Sequence, residues 1–480
     1  MQYGNIFSTI GKMTVFLGLI QFLPLLVSFY YGESLFPFAI SIIISLFIAA
    51  VLLHYFKPTK DDWTVRESYA IVSLGWLLAS VLGSIPFLIY GISPVNALFE
   101  SMSGITTTGA TALDLSIPYG KGFHFWRTLL HWTGGLGIVA LFLAVLPKIS
   151  RKAVFLFNAE VKSGVDDDKL SPRISITSKI LLGFYVSLTV IVFLVLFLLG
   201  LSPYDALVHA FSVIGSGGFS NYAESAAHFK NSYVNFAITI FMLVAGTNFG
   251  LMYRTIFQRK VTKIFKDEEF ISYIIVFLFI SSLLIFVLWK DMNMDFFESL
   301  ENSFFHVASM MSTTGFMITD YNQWSDSSKM LLTIAAIVGG CSGSTAGGPL
   351  ITRWLILLKH CRRDIFKKIH PSAVKTIQYN GKTISDSVVQ STLSFMILWA
   401  FLISFSTFLL SLLGIDIITS LTSSIATINN VGPGLNLVGP ASSYKDLPSL
   451  AKMILIMNMW IGRLNIYTVL SVFTFEFWKK

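Results

Sequence analysis

The chain has 480 residues, of which 54% are hydrophobic and only 12% charged, about half the share of roughly 25% usual in soluble domains. Its mean hydropathy of +0.70 and 43 phenylalanines gather in uncharged runs, each able to cross a hydrocarbon core of about 30 Å, which excludes an ordinary soluble protein. The net charge of +8 falls in short basic clusters between these runs, a pattern that argues against a nucleic-acid surface and for loops sorted by the positive-inside rule. Two cysteines, Cys341 and Cys361, supply neither a disulfide framework nor a metal site.

Two apolar runs come first, about 11–31 and 35–53, joined by a short turn. They predict a helical hairpin over 1–65, with the first run retained as a helix rather than removed as a signal peptide. Eight further runs follow, at roughly 68–90, 123–146, 176–200, 233–256, 270–290, 328–358, 390–413 and 449–475. The fold expected is all-α and polytopic, with ten transmembrane helices. The links at 54–67, 147–179, 253–269 and 359–389 carry 3, 7, 5 and 7 Lys and Arg, against 1, 1, 0 and 1 in the links at 91–122, 201–232, 291–327 and 414–448. The basic links, and with them both termini, are expected in the cytoplasm.

Each of the other links holds a segment of about 12 residues, too short to span and ending in a polar cluster. Written out, these are NALFESMSGITTTGA, DALVHAFSVIGSGGF, NSFFHVASMMSTTGF and TSLTSSIATINNVGP, which align without a gap. Asn96, Asp205, Asn302 and Thr419 open them as expected N-caps, and a glycine stands 13 residues after each. The chain is thus four copies of helix, re-entrant segment, helix, with boundaries expected at 66–150, 151–265, 266–370 and 371–480. Irregular backbone at membrane depth must line a polar path, so the four segments are expected around one axis. A re-entrant helix ends with its negative pole at mid-membrane, and four such ends favour a cation.

Backbone carbonyls face a pore when residues alternate through positive φ, which glycine adopts without penalty. Gly109, Gly218, Gly315 and Gly432 are therefore the expected selectivity filter, with carbonyls from Thr107, Thr108, Gly217, Thr313, Thr314, Asn430 and Val431. No carboxylate stands there, which points to a monovalent cation held by neutral dipoles rather than to calcium.

These motifs, TTTGAT at 106–111, GGFS at 217–220, STTGF at 312–316 and NNVGPG at 429–434, resemble the Trk, Ktr and HKT superfamily of potassium transporters over essentially the whole chain. The N-terminal hairpin is similar to that of the bacterial TrkH branch; KtrB-like members have only the eight-helix core. The resemblance implies a single-chain counterpart of a tetrameric potassium channel, with pseudo-fourfold units. Glycine in all four copies implies a preference for K⁺, as substrate rather than cofactor.

A second feature is Gly339, Gly340, Cys341, Ser342, Gly343, Ser344, Thr345, Ala346, Gly347 and Gly348, a stretch that should unwind the helix it interrupts. It lacks the GK[ST] ending of a phosphate-binding loop. By resemblance it is an intramembrane gate beneath the filter. Arg463 lies in the last apolar run, where an unpaired charge would cost about 2.5 kcal/mol or more; it is expected to face the pore, with snorkelling as the alternative. The resemblance makes it a barrier to cation flow, while Asn465 stands where relatives often have Glu.

His209 and His306, with Glu100 and Ser423 at the matching positions, are expected to brace the pore segments. Arg127, His131 and Trp132 are expected as an interfacial anchor, and Asp166, Asp167 and Asp168 as a solvated loop. Lys359, Arg362, Arg363, Lys367 and Lys368 could meet anionic lipid or a cytoplasmic partner.

No HExxH, GxSxG, Walker A or paired-carboxylate motif suggests an enzyme. A secondary transporter of another solute built on broken helices is the alternative, but that architecture calls for inverted repeats, and these share one orientation. The resemblance further implies a homodimer in the bacterial inner membrane, docked on cytoplasmic TrkA-like subunits that bind nucleotide. The chain has no Rossmann fingerprint of its own.

Overall fold

The computed structural model describes residues 1–58, 64–114, 117–145, 174–257 and 261–479. The aspartates at 166–168 and most of the basic link at 147–179 lie outside the described residues.

Helices at Tyr3–Ile20 and Phe22–Tyr30 form one near-continuous span, and Phe36–Tyr55 returns beside it. Gly18 lets the two approach: a Cβ there would lie 3.1 Å from Leu46 Cδ2. Glu33, in the turn, docks this hairpin on the core by accepting the N–H groups of Lys121 (2.5 Å) and Gly122 (2.9 Å) at the start of a core helix. That carboxylate satisfies donors no intrahelical carbonyl can reach and sits at the positive pole.

Each unit then consists of a leading helix, a short pore helix and a trailing helix. Unit 1 has Val65–Ile89, Pro94–Ile105 and Lys121–Val145. Unit 2 has Ile174–Leu198, Pro203–Ile214 and a trailing pair, Ser232–Ala245 and Phe249–Phe257. Unit 3 has Glu268–Asp291, Phe296–Met311 and the pair Asp326–Val338 and Leu350–Ile369. Unit 4 has Asp386–Leu412, Ile417–Ile428 and the pair Ser449–Leu464 and Ile466–Val472.

Among the described residues, six helices are long and apolar enough to cross a membrane, and eight spans result if each of two bent pairs counts as one. Those pairs turn by 102° at 245–249 and 119° at 464–466. The unbroken trailing helix of unit 1 and the interrupted one of unit 3 occupy the other two segments expected from the sequence. The breaks at 245–249 and 464–466 were not anticipated; Gly246 and the positive φ of Asn465 (74°) mark them.

The pore helices start earlier than their sequence suggests. Their N-caps are Ser93, Ser202, Asp295 and Asp416, not Asn96, Asp205, Asn302 and Thr419. Pro94 and Pro203 fit the first helical position, and Asp205 and Thr419 instead donate their N–H groups to the caps.

Unit 4 closes onto unit 1. Trp460 Nε1 donates to the Ser73 carbonyl (3.2 Å) and Ser73 Oγ to that of Thr468 (3.2 Å). The two ends of the chain also meet: Tyr3 and Trp478 stack with ring centroids 6.5 Å apart, and Arg66 donates to the Lys479 carbonyl. A capping box of Thr64 and Glu67 starts unit 1, and the spare oxygen of Glu67 accepts the Gln2 N–H at 2.8 Å. A short hairpin, Gln378–Tyr379 paired with Lys382–Thr383, precedes the leading helix of unit 4. Its Asn380-Gly381 turn, with φ of 48° and 74°, is a strong two-residue hairpin signal that the sequence reading passed over.

Candidate functional site

The pore helices end at Ile105, Ile214, Met311 and Ile428, and in each the chain continues as a short extended strand. Two residues per strand adopt positive φ, the glycine and the residue two before it. Gly109, Gly218, Gly315 and Gly432 have φ of 81°, 76°, 81° and 99°; Thr107, Ser216, Thr313 and Asn430 have 53°, 52°, 55° and 54°. This is the alternation that turns successive carbonyls to one side. Ser216 is the member of the set that sequence reasoning left out, although the gapless alignment places it opposite Thr107, Thr313 and Asn430.

The four strands touch in a closed circuit. A Cβ added to Gly109 would overlap the carbonyl oxygen of Gly217, one on Gly218 that of Thr314, one on Gly315 that of Val431, and one on Gly432 that of Thr108, at 2.5 Å. Each unit's glycine thus packs on the carbonyl preceding the next unit's glycine, and the fourth returns to the first. Thr107, Thr108, Gly109, Gly217, Gly218, Thr313, Thr314, Gly315, Asn430, Val431 and Gly432 are all brought to this ring. Asn430 Nδ2 adds a bond to Thr108 Oγ1 (2.9 Å) across the seam of units 4 and 1.

The residues leaving the ring are tied to each other and to the pore helices. Arg127 Nη1 donates to the Ser220 carbonyl (3.1 Å) between units 1 and 2, and Met317 N to Ser225 Oγ (3.3 Å) between units 2 and 3. Asn322 exchanges two hydrogen bonds with the backbone of Asn436, and the Tyr444 N–H donates to the Thr111 carbonyl (2.8 Å). Within units, three of the four expected bracing residues hold the segment leaving the ring. Glu100 accepts the Ala112 N–H (3.1 Å), His209 Nε2 meets Ser220 Oγ (3.1 Å), and His306 Nε2 accepts the Ile318 N–H (3.4 Å). In unit 4 this task falls to Thr422, which accepts the Leu435 N–H (3.0 Å), rather than to Ser423, bonded to Ser420.

Arg127, His131 and Trp132 are not an interfacial anchor. Arg127 is 1% exposed and pairs with Glu100 at 2.7 Å, with its guanidinium 4.1 Å from the Phe219 ring centre. His131 is buried and stacks on Phe219, at 4.1 Å between centroids, while Trp132 Nε1 donates to Thr189. A Cβ on Gly217 would strike the His131 ring, so unit 1's trailing helix backs directly onto the second strand of the ring.

The stretch 339–348 is non-helical and lies against all four units. Thr345 Oγ1 and Ser216 Oγ share a hydrogen bond of 2.7 Å, and the Gly347 N–H donates to Thr313 Oγ1 at 2.9 Å. A Cβ on Gly347 would overlap the Asn429 carbonyl, and one on Gly135 would lie 3.3 Å from the Thr345 methyl. Cys341 N–H donates to the Gly246 carbonyl (2.8 Å) and Phe249 N–H to that of Gly343 (3.1 Å), so the break in unit 2 cradles the stretch. Gly339, Gly340, Ser342, Ser344, Ala346 and Gly348 complete it, Ser344 Oγ donating to the Cys341 carbonyl (2.6 Å). Arg463, 6% exposed, donates through Nη1 to the Thr345 carbonyl at 2.8 Å. Its Nε and Nη2 have no hydrogen-bond partner among the described residues. The guanidinium therefore sits at the stretch rather than snorkelling to an interface. Among the described residues no group of three or more His, Cys, Asp or Glu could hold a metal ion.

A profile of cation transport proteins, the TrkH family, matches residues 34–479. The Trk system potassium uptake protein TrkH of Salmonella typhimurium is 34% identical over 486 residues, and that of Halomonas elongata 33% over 490, with all of each chain covered. The crystal structure of the potassium transporter TrkH from Vibrio parahaemolyticus superposes with a TM-score of 0.91 at 31% identity, again over the whole of both chains. With four such units around one ring and a match along nearly its full length, the chain belongs to the TrkH family of cation transport proteins.

Proposed function

We propose that this protein is the potassium-conducting subunit of a bacterial Trk-type uptake system, with the glycine ring as filter, residues 339–348 as gate and Arg463 as an electrostatic barrier at that gate. The observation that carries the reading is the closed circuit in which each filter glycine rests on a neighbouring unit's carbonyl. A dehydrated K⁺ would find carbonyl oxygens from Thr107, Thr108, Gly217, Thr313, Thr314, Asn430 and Val431, and Ser216 joins this set. Four pore-helix ends add their negative poles. A potential of 100 mV supplies about 2.3 kcal/mol per charge, enough for roughly 50-fold accumulation.

The chain divides at 1–65, 66–150, 151–265, 266–370 and 371–480 into the hairpin and four pore units. It resides in the inner membrane with both termini cytoplasmic, a placement supported by the basic links and by the contact between the two chain ends. It forms a homodimer and is regulated by TrkA-like nucleotide-binding subunits on the basic face.

Rubidium and potassium uptake into proteoliposomes tests this reading. Gly315→Ser places a side chain against the Val431 carbonyl at φ of 81° and is expected to lower the preference for K⁺ over Na⁺. Unchanged selectivity would remove the ring from its assigned role.

A further inference from the structure

Three acidic residues open the leading helix of unit 3, and the third reaches the gate stretch. Glu269 is 4% exposed. Its Oε1 accepts the Ser342 N–H (2.6 Å), the Ser342 hydroxyl (2.7 Å) and the Thr352 hydroxyl (2.5 Å). Ser342 lies inside the non-helical stretch and Thr352 in the first turn of the helix after it. One carboxylate oxygen thus staples both ends of the segment that presents Thr345 to the filter and to Arg463. All three donors belong to the gate segment, and among the described residues no basic side chain hydrogen-bonds to this carboxyl.

The other two acids hold the hairpin at 378–383. Asp267 caps the helix through the Phe270 N–H (2.9 Å) and accepts Asn380 Nδ2 (2.8 Å). Glu268 accepts the Asn380 N–H (3.1 Å) and the Lys359 ammonium, and its own N–H donates to Asn380 Oδ1 (2.8 Å). Lys359 also donates to the Gln378 carbonyl (2.7 Å), and the Tyr379 hydroxyl reaches Glu269 Oε2 at 3.5 Å. The hairpin tip and the gate stretch are therefore held by consecutive residues of one helix terminus.

We propose that Asp267, Glu268 and Glu269 form a latch, in which Glu269 positions the gate stretch beneath the filter and the hairpin at 378–383 governs that hold through Asn380 and Tyr379. Glu269 is a positioning residue: it touches the gate, not the ion. The latch rests on the reading of 339–348 as the gate. It also gives the short hairpin a role that its two-residue strands alone do not explain, since anything that draws on the exposed tip pulls on the terminus carrying Glu269.

The test uses the full chain reconstituted without partners into phosphatidylethanolamine and phosphatidylglycerol vesicles, with rubidium uptake as the readout. Glu269→Ala is expected to raise flux on the order of tenfold, the scale of one lost hydrogen bond to a charged group. Glu269→Gln, which keeps an acceptor for Ser342, should raise it less, and Asn380→Ala should raise it without adding to Glu269→Ala. A residue that merely supports the fold would lower flux. Labelling of Cys341 by a membrane-permeant maleimide, in a Cys361→Ser background, reports the loop independently of transport: it is buried here and should react faster once the latch is broken.

Wild-type flux and labelling in Glu269→Ala, alongside raised flux in Arg463→Ala, would overturn the latch and leave the gate standing. No change in flux in either variant would overturn the gate reading itself. Should Glu269→Ala not fold, Asn380→Ala, at a surface turn, decides by the same two readouts.

Discussion

The ion pair of Arg127 and Glu100 sits directly behind the filter, and removing one partner should cost both stability and selectivity. Arg127 Nε meets Glu100 Oε1 at 2.7 Å with side chains 1% and 0% exposed, so solvent does not screen the pair. In Arg127→Gln the carboxylate keeps the Ala112 N–H and the Thr111 hydroxyl but loses its counter-charge. Breaking a buried pair from one side typically costs about 3–5 kcal/mol, because the other charge stays buried. With an unfolding entropy of roughly 2.1 cal/mol/K per residue, 4 kcal/mol in a chain of this length lowers Tm by about 4 °C. Glu100→Gln should cost a similar amount. The double variant Glu100→Gln/Arg127→Gln, with neither charge left, should cost less than the two single losses together. Apparent Tm in detergent at one scan rate gives the cycle. Because Arg127 also holds the Ser220 carbonyl, proteoliposome assays should show a reduced K⁺ to Na⁺ ratio in Arg127→Gln. A Tm within 1 °C of wild type together with unchanged selectivity would refute the assignment of this pair as a strut between the first two filter strands.

Arg463→Ala should increase rubidium flux by removing a positive charge bonded to the gate stretch, with Arg463→Lys intermediate; equal flux in all three proteins would show that the guanidinium is no barrier. Gly134→Ala and Gly462→Ala should each destabilise by about 1–3 kcal/mol, since the added Cβ would overlap the carbonyls of Ile105 and Ile428 at the ends of two pore helices; thermal melts check this. Lys445→Ala breaks a 2.8 Å pair with Asp114 whose partners are both more than a third exposed and screened by solvent, and should leave the thermal melt unchanged.

What could be read from the sequence, and what could not, follows from the range of the interactions involved. The glycine ring was legible because its signal is local: positive φ every second residue demands glycine or a small polar residue, and four copies at one register repeat the demand. Ser216 gave a weaker signal because a serine at positive φ is not marked by its residue type as a glycine is. The break at 339–348 was legible for the same reason, five glycines at 339, 340, 343, 347 and 348 leaving no regular helix. Arg127 was read as an interfacial anchor because its partners are 27 residues away at Glu100 and 93 away at Ser220, and only the pore helix folding back brings them together. Glu269 gave no signal at all: an acid one residue into a helix looks like ordinary compensation of the helix dipole, and its gate contacts lie 73 and 83 residues downstream. Pore-helix starts were misplaced by three residues in three units because Asn96, Asp205 and Thr419 have the chemistry of caps, yet the residue that sits outside the first turn takes the cap.

The ring is fourfold only in its backbone, and the largest departures from symmetry are the breaks in the trailing helices. Unit 1 keeps an unbroken trailing helix, unit 2 breaks over three residues, unit 3 over eleven, and unit 4 at Asn465 alone. The long break supplies the gate stretch, the break in unit 2 cradles it through Gly246 and Phe249, and unit 4 supplies Arg463 to it. A tetramer of identical chains could not do this: it would place four such stretches and four guanidinium groups at one axis, where like charges repel strongly in a medium of low dielectric. Joining the units in one chain permits a single such stretch and a single positive charge beside a symmetric ring. It also permits a single release point, because Glu269 stands at the start of unit 3 and of no other unit. The same asymmetry predicts that substituting the equivalent early residues of the other leading helices leaves the gate untouched, whereas the symmetric glycines above should respond alike.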